Sequence, residues 1–384
     1  DRRQQMKFRC ERDDLLEAVQ FASRAISNRA TLPVLSGLRI EASEEGYVQV
    51  AATDLELTME TSFKAGVDEP GTVIVPGRLF GDMTRSLGAG QVSLASGEAE
   101  VEIGSGRGQF RVKALAPDDY PALPIEERGD GSGVAVEIDG SLLAIALAQV
   151  VRSASGDESR QVLTGVLWEI ESGSVTLAAT DSYRLAVRQL EVTGGPTEVR
   201  KVILPARGLA ELVRILQVDA NAVRALVKDN LIVFTIGAKS EDGRGLGESV
   251  IGSRFIEGEF PNYKQLIPSG YPNALTVDRE QLLEVVKRVG LLAQNNMPVK
   301  LQLGGELEVS AHTPDVGEGQ EVLDAGYEGD SLVIAFNPQF LYDGGSAIRT
   351  DKVILEAGDG LKPAILRGES DTSFTYLLMP VRLS

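Results

Sequence analysis

Apolar residues along this chain switch between two spacings, and the switch recurs three times. Leu15, Leu16, Val19, Ala22 and Ile26 fall on one helical stripe, as do Leu142, Leu143, Ala146, Leu147 and Val150; each predicts an amphipathic helix. A third such run opens at Leu282-Leu283. Acidic residues stand just upstream (Asp13-Asp14, Asp139, Asp278), where they suit an N-cap or the positive end of the helix dipole. Strand-like alternation follows each helix: Tyr47-Val48-Gln49-Val50-Ala51-Ala52-Thr53-Asp54, Ser174-Val175-Thr176-Leu177-Ala178-Ala179-Thr180-Asp181 and, more weakly, Glu306-Leu307-Glu308-Val309-Ser310-Ala311. A second helix start recurs as Val73-Ile74-Val75-Pro76, Val202-Ile203-Leu204-Pro205 and Val333-Ile334-Ala335-Phe336-Asn337-Pro338. Proline in a first helical turn loses no hydrogen bond there.

A period near 130 residues is too long for a solenoid, so the repeats read as whole domains in tandem. The expected fold class is α+β: three copies of a two-helix, antiparallel-sheet domain, over residues 1–128, 134–268 and 274–384. Linkers are expected at Glu126–Gly133 and Ser269–Asn273.

Composition narrows the chemistry. One cysteine, Cys10, excludes an internal disulfide framework and any multi-cysteine zinc site; one histidine, His312, excludes a two-histidine metal helix. Cys10 reads as a small core residue and His312 as a surface or turn residue. No phosphate loop or nucleophile elbow is present, so no catalytic site, metal or cofactor is expected. The start has no apolar segment of the export type, and the longest helix-like apolar run, Leu142–Val151, is too short to span a bilayer. A cytoplasmic protein is expected, with residues 1–5 outside the first element.

The chain carries a net charge of −18, yet the six helix-like segments sum to +5 and leave −23 elsewhere. Arg85, Arg152, Arg214 and Lys287 could simply complement helix dipoles. Alternatively, one face presents cations to a polyanion while the acidic remainder repels it. With no recognition helix or stacking motif, any nucleic-acid contact would go to phosphates, independent of sequence.

Four segments then carry a resemblance: Thr31-Leu32-Pro33-Val34-Leu35-Ser36-Gly37, Ala179-Thr180-Asp181-Ser182-Tyr183-Arg184-Leu185-Ala186, Glu259-Phe260-Pro261-Asn262-Tyr263 and Tyr376-Leu377-Leu378-Met379-Pro380-Val381-Arg382-Leu383. In order and spacing, from Met6 to Ser384, the chain resembles the sliding clamps of bacterial DNA polymerase III, the β subunits. That resemblance implies two subunits joined head to tail in a ring, helices lining the hole and sheets forming the wall. The implied function is to encircle duplex DNA and tether the replicative polymerase for processive synthesis. Other implied partners are the clamp loader, further polymerases and repair proteins, each bound through a short peptide motif.

By matched position, the implied peptide pocket comprises Leu163, Thr180, Ser182, Tyr183, Arg184, Leu185, Pro261, Leu266, Pro363, Leu377, Met379, Pro380, Val381 and Arg382. Its apolar walls would take apolar side chains, with Arg184 and Arg382 holding polar groups. Familiar members often carry Gly-His where this chain has Ser182-Tyr183, and a basic residue near Gln265. For DNA the matched position is Arg29, supported by Arg24, Arg85, Arg152, Arg214, Lys287 and Arg288. For the subunit junction, Phe110 and Val112 on a first-domain strand face Leu291 and Leu292 in a third-domain helix, a heterologous contact that can close a ring. The rival expectation is a tandem-domain peptide-binding scaffold without DNA.

Overall fold

The computed structural model describes residues 5–26, 32–116, 119–125, 133–218, 221–237, 245–268, 270–294 and 297–383. The first copy runs β1 (Lys7–Glu11), α1 (Arg12–Ala22), β2 (Gly37–Ala42), β3 (Tyr47–Thr53), β4 (Leu57–Lys64), β5 (Gly66–Glu69), β6 (Gly71–Pro76), α2 (Gly77–Ser86), β7 (Gln91–Ser96), β8 (Glu100–Ser105) and β9 (Gly108–Lys113). The second follows as β10 (Val134–Ile138), α3 (Gly140–Val150), β11 (Gly165–Glu171), β12 (Ser174–Thr180), β13 (Arg184–Glu191), β14 (Thr193–Gly194), β15 (Arg200–Pro205), α4 (Ala206–Val218), β16 (Val223–Val227), β17 (Leu231–Ile236) and β18 (Leu246–Arg254). The third is β19 (Asn273–Asp278), α5 (Arg279–Gly290), β20 (Val299–Leu303), β21 (Glu306–Thr313), β22 (Gly317–Glu328), β23 (Leu332–Phe336), α6 (Pro338–Ala347), β24 (Lys352–Ala357), β25 (Ala364–Gly368) and β26 (Phe374–Leu378). The α+β triplication read from the apolar pattern is therefore present, with the single long β22 in the third copy standing where the others have two strands.

The chain packs as two compact units, one of Asp1–Ser141, Val192–Gly195 and Arg214–Phe255, the other of Leu142–Glu191, Pro196–Val213 and Ile256–Ser384. The first unit holds a five-stranded sheet, β5-β1-β7-β8-β9, and a nine-stranded sheet, β14-β10-β16-β17-β18-β4-β3-β2-β6. The second holds a twelve-stranded sheet, β15-β11-β12-β13-β26-β25-β24-β19-β22-β21-β20-β23. Two joints recur. The last strand of one copy pairs antiparallel with the fourth strand of the copy before it: β18 with β4, and β26 with β13. β22 is shared, pairing with β21 over Gly317–Asp324 and with β19 over Ala325–Glu328.

Alternation produces these sheets for the usual reason: β20 and β21 bury every second side chain, and a half-buried strand stays in register because a one-residue slip would expose that set. Helix ends are set by polar caps. The Asp278 carboxylate accepts from the Gln281 amide, and the Asn337 side chain accepts from the Gln339 and Phe340 amides, each cap contributing about 1 kcal/mol.

Four expectations shift by small steps. Leu142 is exposed, and Leu143 instead occupies the buried place of Leu15 and Leu282, so α3 begins its stripe one residue later. Pro76 and Pro205 are the last residues of their strands, each still in a ladder; only Pro338 enters the helix, one residue later, behind Asn337. The three helix starts therefore align Pro76 and Pro205 with Asn337. Asn273 belongs to β19 and is buried, which shortens the expected second linker; most of the first, residues 126–132, lies outside the described residues. Leu291 and Leu292 lie just past the end of α5, with Leu291 as its C-cap. Cys10 is a buried core thiol, pushed up to about 12 chiefly by burial, and His312 stands exposed on β21.

Candidate functional site

The most elaborate side-chain constellation in the second unit surrounds the β12–β13 turn. Thr180 Oγ1 donates to the Arg184 carbonyl at 2.6 Å and accepts from the Ser182 amide at 3.1 Å. Asp181 Oδ1 accepts from the Tyr183 and Arg184 amides. The same side chains tie the β3–β4 turn of the first copy, where Thr53 and Asp54 hold Leu55, Glu56 and Leu57. Both turns force one residue into the left-handed region, Leu55 at φ 80° and Ser182 at φ 82°. A glycine would occupy that backbone without strain.

Arg184 departs from the repeat. Its side chain is only 10% exposed. Nε donates to Asp181 at 3.0 Å, Nη1 to Asp343 on α6 at 2.6 Å and Nη2 to the Arg152 carbonyl at 2.5 Å. The guanidinium lies 4.4 Å from the Phe340 ring centre, and Tyr183 stacks on the same ring. Burial alone would lower the Arg184 pKa, but Tyr376, Asp343 and Asp181 raise it. The expected role of holding a ligand's polar groups is thus already taken by intramolecular acceptors; Arg184 pins the turn to α6. Tyr376 fits beside α6 because residue 344 is glycine, where a Cβ would stand 2.3 Å from the ring. Its hydroxyl donates to the Phe340 carbonyl.

An apolar floor lies alongside. Leu185 and Leu377 face each other across the β13–β26 ladder and are buried with Leu167, Ala178, Ile203, Tyr263 and Ile365. Val162, next to the buried Leu163, packs on this cluster with Phe260 and Ile267. Pro261 and Leu266 are exposed on the connector above it, where the Tyr263 amide donates to the Pro261 carbonyl. Met379 is half-exposed and its amide donates to the Tyr183 carbonyl, closing the C-terminal segment onto the turn. Pro363 and Pro380 are half-buried. Val381 and Arg382 instead border a cavity of about 750 Å³ over β20–β22, together with Met297, Lys300, His312 and Glu318.

Beneath the connector, Glu169 on β11 is nearly buried. Its carboxylate accepts from Tyr263 Oη at 2.8 Å and pairs with Lys201 Nζ and Lys264 Nζ, each at 2.9 Å. Burial would raise its pKa, but the two ammonium groups and the hydroxyl outweigh it and bring it down to about 2.

The candidate cations are distributed more unevenly. Arg24, in the turn after α1, borders a cleft of about 150 Å³ with Phe21, Arg214 and Val218. Arg152, in the turn after α3, borders one of about 230 Å³ with Gln149, Asp343, Arg349 and Tyr376. Arg85 is exposed and paired with Asp82 at 2.9 Å. Lys287 is exposed. Arg288 is bound bidentately to Glu321 at 2.8 and 2.9 Å and to Glu284 at 3.3 Å, which raises its pKa, so its charge is largely neutralised locally. Arg29 lies outside the described residues. At the expected junction, Phe110 is 38% exposed on the edge strand β9 and Leu291 is 71% exposed, but Val112 is 3% exposed and belongs to the core. Val112 can offer a partner little surface.

Sequence reading missed Phe340, Asp343, Glu169, Arg349 and Arg160, whose Nη1 donates to Ser182 Oγ at 3.0 Å. None belongs to a motif, and only three-dimensional proximity brings them together. Among the described residues no group of His, Cys, Asp or Glu could hold a metal, and no helix is long and apolar enough to cross a membrane.

Comparison with known proteins adds the following. Residues 6–124 match the N-terminal domain of the DNA polymerase III beta subunit, residues 137–262 its central domain and residues 264–382 its C-terminal domain. The beta sliding clamp of Streptomyces coelicolor is 37% identical over 396 residues, covering 99% of this chain and 100% of that protein. The crystal structure of the DNA polymerase sliding clamp from Bacillus subtilis superposes with a TM-score of 0.90 at 27% identity, covering 99% and 100% of the two chains. The Bartonella birtlesii sliding clamp bound to griselimycin gives 0.90 at 29% identity with the same coverage.

Proposed function

The chain belongs to the family of bacterial DNA polymerase III beta subunits, the DNA sliding clamps, and from that premise we propose that two copies close head to tail around duplex DNA and tether the replicative polymerase. The three domains span residues 1–128, 134–268 and 274–384. The ring acts in the cytoplasm as a processivity factor without a catalytic site of its own.

One observation carries the closure: the unequal fate of equivalent strands. Following the ladders from each first helix makes β9, β18 and β26 equivalent, and likewise β4, β13 and β22. β18 is joined to β4 and β26 to β13 within the chain, which leaves the outer edges of β9 and of the Gly317–Asp324 part of β22. Exposed edges with unpaired backbone groups are templates for another strand. Phe110 matches Ile251 and Tyr376, each 1% exposed at its joint, whereas Phe110 remains 38% exposed. The register shared by the two internal joints sets Ile251 opposite Met59 and Tyr376 opposite Ala186. Transferred to a second copy, it sets Phe110 opposite Gly319, Arg111 opposite Glu318 and Val112 opposite Gly317. A Cβ on Gly319 would stand 2.7 Å from Leu292 Cδ1, so the glycine leaves room for Phe110 against that leucine. Leu291 adds a further contrast. It stands nine residues after buried Leu282, as Arg24 and Arg152 stand after Leu15 and Leu143. Arginine marks the two internal joints; leucine marks the proposed closure.

DNA contact then goes to phosphates in a sequence-independent way, through Arg24 with Arg214 and Arg152 with Arg349, supported by Arg29, Arg85, Lys287 and Arg288. Weak contact suffices, because a closed ring holds DNA by topology. Tyr183, Pro261, Leu266 and Met379 offer exposed apolar surface, backed by the buried Leu185–Leu377 pair and flanked by Leu163, Thr180, Ser182, Pro363 and Pro380. That surface takes short apolar peptide segments of the polymerase, clamp loader, other polymerases and repair proteins. Val381 and Arg382 extend that site along the C-terminal segment. Griselimycin, bound by the Bartonella relative, is expected in the same pocket. Loading the protein on nicked circles and linearising them tests the ring: it stays on circles and runs off linear ends. Equal loss from both would refute encirclement.

A further inference from the structure

We propose that Glu169 is a positioning residue for ligand capture, holding the Pro261–Leu266 wall of the pocket over the Leu185–Leu377 floor and so setting affinity without touching the ligand. This rests on the pocket reading above and adds to it a residue outside the matched set.

The wall needs such an anchor. Between β18 and β19 the chain forms one short 3-10 turn, Tyr263–Leu266, and Pro261 and Leu266 are exposed on it. Backbone bonds within this turn, Tyr263 to Pro261 and Gln265 to Asn262, do not attach it to the sheet. Attachment comes from the buried Tyr263 ring, which sits among Leu185, Leu377 and Ile365, from Phe260 and Ile267 packed on the same cluster, and from the Tyr263 hydroxyl and the adjacent Lys264, both held on Glu169. Phe260 meets the Tyr263 ring edge-on at 6.5 Å. A carboxylate in this position adds two polar ties to the apolar packing of the connector, and preorganisation of that kind raises affinity by removing an ordering cost from the bound state.

The repeat supplies an internal control. The ladders make Glu169 equivalent to Glu41 and Gln302. Glu41 pairs with Arg39 of its own strand at 2.7 Å, and Gln302 donates to Ser331 at 3.0 Å. Ser331 lies in the β22–β23 loop, so Gln302 also reaches a connector, but among the described contacts only the second-copy residue reaches one that carries pocket residues. Repeat architecture therefore does not require the arrangement.

The three donors also separate the roles. Lys201 lies directly across the β11–β15 ladder from Glu169, so it fastens strand to strand; Tyr263 and Lys264 fasten the wall. Griselimycin affinity of the full-length protein, measured by calorimetry alongside melting temperature, distinguishes them. Glu169→Gln and Tyr263→Phe are expected to weaken binding about tenfold, the worth of one charge-assisted hydrogen bond, and Lys264→Ala, whose ammonium is mostly exposed, about fourfold. Lys201→Ala is expected to lower the melting point while leaving affinity within about twofold. Tyr263→Phe keeps the buried ring, so the comparison survives if Glu169→Gln folds poorly. Unchanged affinity in Tyr263→Phe and Lys264→Ala, or an equal loss in Lys201→Ala, would overturn the positioning role while leaving the pocket intact. Absence of binding by the unaltered protein would instead overturn the pocket, and this proposal with it.

Discussion

At the scale of single residues, charge burial decides what each side chain can do. Glu169 has an ordinary pKa of 4.5 and is held near 2 in the folded chain. A depressed carboxylate pKa stabilises the fold above the unfolded value and loses that contribution as pH falls through the folded one. The contribution is at most about 3 kcal/mol. Acid unfolding should therefore show a component between about pH 4.5 and 2 that Glu169→Gln removes, measured as melting temperature against pH; an unchanged acid limb would exclude the ion cluster as its source. Arg184 illustrates why residue roles were less legible than residue positions. The Thr180–Leu185 motif can be read directly from the sequence. Asp343 lies 159 residues away from Arg184, and nothing local announces that it will satisfy the guanidinium before any ligand can.

Among elements, alternation and helical stripes fixed strand and helix identity, because one buried face leaves a clear period. They failed where two residues of equal hydrophobicity compete for one buried place. Leu142 and Leu143 are interchangeable in the linear pattern, and only packing exposes the first and buries the second. Similarly, Pro76 and Pro338 look alike in sequence, yet an inserted Asn337 moves the third helix start by one residue. Val112 was legible as apolar strand but not as already covered by its own sheet. The transferred register between β9 and β22 gives an element-level prediction. Arg111→Glu should weaken self-association through repulsion from Glu318, and combining it with Glu318→Arg should restore it, read by sedimentation; cross-strand charge pairs of this type are worth about 0.2–1 kcal/mol. Phe110→Glu should give monomers outright, because it places a charge where the two equivalent positions are fully buried. A Phe110→Glu protein that remained dimeric would move the closure to other strands.

Considering the whole molecule, the net charge is −18 and the six helices as bounded in the structure carry no net charge. The +5 of the sequence segments is thus not a property of the helices, and attraction for a polyanion rests on local arginine clefts. Much of the nominal helix charge is neutralised locally: Arg85 by Asp82, Arg288 by Glu321 and Glu284. The clefts bearing Arg24 with Arg214 and Arg152 with Arg349 each bring two arginines together. Affinity for linear duplex should accordingly be weak and fall steeply with salt, while retention on closed circles should change little over the same range. Filter binding against gel filtration of loaded circles separates the two, and a parallel salt response would argue that adhesion, not enclosure, retains the protein.

β4 with β18 and β13 with β26 are hydrogen-bonded seams whose two sides belong to one continuous polypeptide. In the proposed closure, the same seam between β9 and a second copy's β22 has no covalent backing. A torn internal seam is re-zipped by its tether at high local concentration, whereas a torn outer seam must find its mate again by diffusion. On that proposal, wear on the circlet accumulates at the joint between copies, and dilution alone works as a latch.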